Sequence, residues 1–147
     1  MLTYPDIDPV AFSWGPLQVH WYGLMYVIGI LCAGMLARLR APALQPEWSM
    51  EFIDDIIFYA ALGVILGGRI GYMLFYNFAV LLHEPLSIFK VWQGGMSFHG
   101  GMLGVFTALW LLARSGKISF ITLTDFIAPL VPIGLFTGRI GNFINGE

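Results

Sequence analysis

The chain has 147 residues, 58% of them hydrophobic and 11% charged, and its formal net charge is −2. A soluble domain carries about 25% charged residues, so this balance excludes one and points to a membrane protein. The seven cationic residues, scattered singly or in pairs, offer nucleic acid no basic surface, and the one cysteine, Cys32, excludes an internal disulfide.

Before Trp21 there is no Lys or Arg, but there are Asp6 and Asp8. The positive region of a signal peptide is missing, so the first apolar segment reads as a retained span. It covers about residues 19–37 and stops at Arg38 and Arg40, with Cys32 as helix filler. A second segment covers about residues 56–78 and contains Arg69. A third, about 96–113, stops at Arg114, and a fourth, about 118–137, contains Asp125, Pro129 and Pro132. Each is near the roughly 20 residues a helical crossing needs. None alternates as barrel strands do, and helices satisfy their backbone locally in lipid. The expectation is an all-α, polytopic integral membrane protein. Its four or so transmembrane helices, each of about 20 residues, form a single domain over the whole chain.

The cations of the segments near residues 40 and 115 set the orientation. The positive-inside bias puts them in the cytoplasm and the N-terminus outside. Arg139 and the terminal cluster then fall on the outer side, with Trp14, Trp21 and Trp92 near outer ends as interfacial anchors.

Glycines recur every four residues: Gly63, Gly67 and Gly71, then Gly100 and Gly104, then Gly134 and Gly138. Small residues at this spacing let helix backbones approach closely in lipid. They predict one compact bundle of the second, third and fourth spans. The tetrapeptide Gly68-Arg69-Ile70-Gly71 returns as Gly138-Arg139-Ile140-Gly141, an Arg flanked twice by glycines that clear space for a head group.

An ionisable side chain at membrane depth costs about 2.5–3.5 kcal/mol on insertion scales and marks function by default. Arg69, His99, Asp125 and Arg139 qualify. A guanidinium fork suits phosphate, which makes Arg69 and Arg139 candidate head-group clamps. For either arginine a structural ion pair, for example with Asp125, is the alternative. His99, flanked by glycines in Gly94-Gly95-Met96-Ser97-Phe98-His99-Gly100-Gly101, is either a general base near neutral pH or a buried histidine bonded to a neighbouring helix. Ser97 would point about 200° away from His99 on a helix, so the two form no local nucleophile–base pair. His20, His83 and His99 are too far apart to suggest a metal site. Tyr22, in His20-Trp21-Tyr22-Gly23, enters the first span at the outer interface as an anchor or as a pocket wall. The last residues, Gly138-Arg139-Ile140-Gly141-Asn142-Phe143-Ile144-Asn145-Gly146-Glu147, place an Arg, two Asn and a Glu directly after apolar sequence.

With these residues in view the chain resembles the prolipoprotein diacylglyceryl transferase family of bacterial inner-membrane enzymes. The likeness is carried by His20-Trp21-Tyr22-Gly23-Leu24-Met25-Tyr26, by Gly67-Gly68-Arg69-Ile70-Gly71-Tyr72 with Phe75-Tyr76-Asn77, by the His99 segment and by the terminal cluster. The resemblance implies transfer of the diacylglyceryl group of phosphatidylglycerol to the lipobox cysteine thiol of a preprolipoprotein. This is the first step of lipoprotein maturation; a thioether forms and glycerol phosphate leaves. By motif, His99 is then the base and Arg139 stabilises phosphate charge. Tyr22, Asn142, Asn145 and Glu147 shape the head-group pocket, with Arg69 a weaker member. No metal or soluble cofactor is implied. The family resembles a seven-span protein nearly twice this length, so the chain is expected to be its N-terminal part, inactive or nearly so by itself. A non-enzymatic anionic-lipid-binding or transporter-like bundle would use the same arginines. A purely structural subunit would leave the terminal Arg-Asn-Asn-Glu cluster unexplained.

Overall fold

The structure, a computed structural model, describes residues 7–15, 17–90 and 95–146. It is built almost wholly of helices, in keeping with the all-α expectation. A short antiparallel hairpin that the sequence reading did not anticipate precedes them: β1 (Val10–Trp14) pairs with β2 (Leu17–His20). Gly15 turns the chain with φ +60, a conformation that costs other residues a Cβ clash. The Trp21 N–H donates to the Pro9 carbonyl at 3.0 Å and ties the hairpin to the helix that follows.

Five further elements complete the first half. Helix α1 (Trp21–Leu44) runs past Arg38 and Arg40, where the first span was expected to stop. Cations end a crossing, but Arg is a good helix former and does not end a helix. Helix α2 (Met50–Phe75) starts before residue 56, because Ile53 and Ile56 continue its buried stripe at helical spacing. Helix α3 (Phe78–His83) and a 3-10 turn (Pro85–Phe89) follow. Helix α4 (Phe98–Gly116) opens on an N-cap: the Ser97 Oγ accepts from the Gly100 N–H at 3.2 Å.

The last helical run is continuous from Phe120 to Asn145. It comprises α5 (Phe120–Ile127), a 3-10 turn (Ala128–Leu130) and α6 (Val131–Asn145). The tightened turn coincides with Pro129, which has no N–H to give the helix. α6 continues eight residues beyond 137, so Arg139, Asn142 and Asn145 ride on helix rather than following it. Among the described residues, three runs, Trp21–Leu44, Met50–Phe75 and Phe120–Asn145, are long and apolar enough to cross a membrane. α4, the counterpart of the third expected span, has 19 residues and is not among them.

The chain divides into two compact units, Met1–Met50 with Phe126–Glu147, and Glu51–Asp125. In the first, α1 packs along α6. A Cβ at Gly29 would meet the Thr137 side chain and lie 3.6 Å from the Gly134 Cα, and one at Gly141 would lie 3.0 Å from the Tyr22 ring. The Trp48 and Phe126 rings meet edge to face with centroids 5.3 Å apart. In the second unit, α2 and α4 close on each other through glycine. A Cβ at Gly71 would sit 2.8 Å from the Gly100 Cα, and one at Gly67 would sit 2.7 Å from the Gly104 Cα. The spacing does not have this meaning everywhere. Among the described residues, a Cβ at Gly134 or Gly138 meets nothing within 4 Å. The close approach on that side is made by Gly29 of α1.

Candidate active site

The sequence-derived site residues fall into both units. Tyr22, Arg139, Asn142 and Asn145 belong to the first; Arg69 and His99 belong to the second. Glu147 lies outside the described residues.

In the first unit the last two turns of α6 carry the polar groups. Arg139 is exposed, while Asn142 and Asn145, three and six residues further on, are half-buried. Gly146 ends the helix with φ +77, and its N–H donates to the Phe143 carbonyl at 3.2 Å. This is the left-handed cap that glycine supplies most cheaply. Gly141 is buried and lets the half-buried Tyr22 ring of α1 come close. The Tyr22 hydroxyl lies 3.1 Å from that of Tyr26, one turn on, with ring centroids 5.0 Å apart. Sequence reasoning missed Tyr26 as part of this site; its spacing of four from Tyr22 was the available signal.

Asn145 holds a group that nothing among the described residues satisfies. Its Oδ1 is buried and has no hydrogen-bond partner. Most buried acceptors are paired, and one left alone costs about 1–3 kcal/mol. Asn145→Leu is therefore expected to raise the free energy of unfolding of the ligand-free protein by about 1 kcal/mol. Denaturant titration in detergent measures it.

In the second unit His99 is the second residue of α4, and it is exposed. The expectation left open whether this imidazole is accessible or buried; it is accessible. Its position is fixed from below. The Ser97 N–H donates to the Gly68 carbonyl of α2 at 2.9 Å, and the Ser97 hydroxyl caps the helix. Ser97 is only 6% exposed and its hydroxyl is committed to that cap. Arg69 is 4% exposed. Its guanidinium donates to three backbone carbonyls: from Nη2 to Ser87 at 2.7 Å, from Nε to Ile88 at 3.2 Å and from Nη1 to Gly95 at 3.3 Å. The expected head-group clamp at Arg69 thus has three donor nitrogens turned to the main chain.

Three apolar helical runs of spanning length, with polar side chains gathered at the end of one of them, define a helical membrane protein. Residues 9–147 match the family described as prolipoprotein diacylglyceryl transferase, and the chain belongs to that family. Three relatives named phosphatidylglycerol–prolipoprotein diacylglyceryl transferase illustrate the likeness. The protein of Legionella pneumophila (strain Corby) is 58% identical over 147 residues, covering 100% of this chain and 57% of the relative. That of Azotobacter vinelandii is 60% identical over 147 residues, covering 100% and 56%. That of Chromohalobacter salexigens is 62% identical over 149 residues, covering 100% and 54%. The chain spans about half the length of the curated relatives it matches.

Proposed function

We propose that the gene product carrying this chain transfers the diacylglyceryl group of phosphatidylglycerol to the lipobox cysteine of a preprolipoprotein, in the bacterial inner membrane. The chain threads the bilayer with its N-terminus outside, so the ends of α1 and α6 that bear Tyr22, Arg139, Asn142 and Asn145 meet the outer leaflet. There the signal peptide of the protein substrate presents its thiol.

In this reading His99 takes the thiol proton, because the thiolate is the nucleophile. The sulfur attacks the glyceryl carbon that bears the phosphoester oxygen. An S–C bond forms, the C–O bond breaks, and the electron pair leaves with glycerol phosphate. Arg139 offers its donors to the phosphate oxygens on which charge builds. Tyr22, Asn142 and Asn145 hold the glycerol hydroxyls, and Glu147 is assigned to the same head group by its motif.

The observation that carries the reading is the end of α6. An exposed guanidinium and two amides, one with a buried unsatisfied acceptor, close an otherwise apolar helix. The test is incubation of the full gene product with labelled phosphatidylglycerol and a lipobox peptide. Label on the peptide as a thioether, with release of glycerol phosphate, is the expected result. Tight lipid binding without transfer would favour a lipid-binding bundle.

A further inference from the structure

Arg69 has the chemistry of a phosphate ligand and the surroundings of a structural one. It is 4% exposed, and its planar fork reaches Ser87, Ile88 and Gly95 by separate N–H donors. Ser87 and Ile88 precede residues 91–94 and Gly95 follows them, so one side chain on α2 holds the main chain at both ends of that stretch. Tyr72, one turn along α2, lines the same place. Its ring centroid is 5.9 Å from the Arg69 Cζ, and a Cβ at Gly95, whose φ is +78, would run into that ring. Two residues further on, the Ser97 N–H meets the Gly68 carbonyl at 2.9 Å. His99 follows directly after this last attachment.

We propose that Arg69 is a positioning residue. By holding the carbonyls of Ser87, Ile88 and Gly95 it fixes the backbone that leads into α4, and so fixes the place from which His99 takes the thiol proton. It reaches the reaction through the main chain and not through the lipid phosphate. The inference rests on the reading of His99 as the base. Lysine cannot replace this arginine, because one ammonium is not expected to reach three carbonyls that are held by three separate guanidinium nitrogens.

The experiment compares Arg69→Lys, Arg69→Gln and the parent in the full gene product, in nanodiscs of phosphatidylglycerol, with a lipobox peptide as acceptor. Both variants are expected to lose about tenfold or more in kcat and to keep KM for phosphatidylglycerol within about twofold. Amide hydrogen exchange is expected to rise in residues 85–100 and not in α1 or α6. A rise in KM of about tenfold with kcat held, or rescue by Lys of what Gln loses, would mark Arg69 as an anion ligand and overturn the proposal. If neither variant folds, Gly95→Ala disturbs the same loop with Arg69 intact; the same loss of kcat is expected, and an unchanged kcat overturns the proposal. If the parent itself shows no transfer, the transferase reading falls on its own. The exchange comparison then decides the clamp, and unchanged exchange in residues 85–100 overturns it.

Discussion

Replacing His99 by Ala in the full gene product is expected to cut diacylglyceryl transfer by about 100- to 10,000-fold, the usual weight of a positioned general base. Phosphatidylglycerol binding should hold. The imidazole stands exposed in the first turn of α4, where the Ser97 cap and the Gly68 carbonyl fix the helix start without using the ring. Its removal therefore leaves the fold intact. Transfer is followed with labelled lipid and a lipobox peptide, and binding by equilibrium partition of the lipid. Loss of lipid binding in step with turnover would reassign His99 to the head group. Unchanged turnover would remove it from the chemistry.

The second large effect is structural. Gly104→Val is expected to cost about 3 kcal/mol or more, at the upper end of overpacking, because no relaxation of a side chain can relieve it. Even a bare Cβ there would sit 2.9 Å from the Gly63 carbonyl carbon and 2.9 Å from the Gly67 Cα. Backbone of α2 is in the way, so the helices must part. Gly138→Ala is the matched control. It has open space around it, and Ala is a better helix residue by about 1 kcal/mol, so stability should hold or rise. Denaturant titration monitored by far-ultraviolet circular dichroism distinguishes the two. Equal effects at the two positions would mean that glycine spacing alone governs packing in this chain.

That contrast also measures what the residues announce. The i, i+4 glycines of α2 and α4 announced their contact correctly, since each is small enough for two backbones to touch. The same spacing at Gly134 and Gly138 did not, because a four-residue interval says nothing about which helix lies opposite. The ends of the helices were displaced for a related reason. Hydropathy marks where sequence leaves lipid, whereas a helix ends where its backbone finds a cap. Arg38, Arg40, Arg139, Asn142 and Asn145 lie on helix although they read as boundaries. The hairpin before α1 was overlooked because its strands of five and four residues fall below any window tuned to a crossing. Arg69 was legible as an unusual charge in apolar sequence, but its contacts with three main-chain carbonyls were not, because a main-chain acceptor leaves no signature in residue identity. His99 and the α6 cluster stood out in the sequence because polar groups in apolar sequence mark function by default.

On the function proposed above, the buried acceptor of Asn145 would bear on discrimination between lipids. Its desolvation is already complete in the folded chain, so a ligand hydroxyl that reaches it gains a hydrogen bond without stripping further water from the protein side. A head group without a donor would cover the oxygen and leave it as it was. Sites built to meet a hydroxyl reject analogues that lack one far more strongly than apolar pockets reject a missing methylene. If the end of α6 is the head-group site proposed above, phosphatidylglycerol analogues lacking a glycerol hydroxyl are expected to bind less well than those shortened by one acyl methylene.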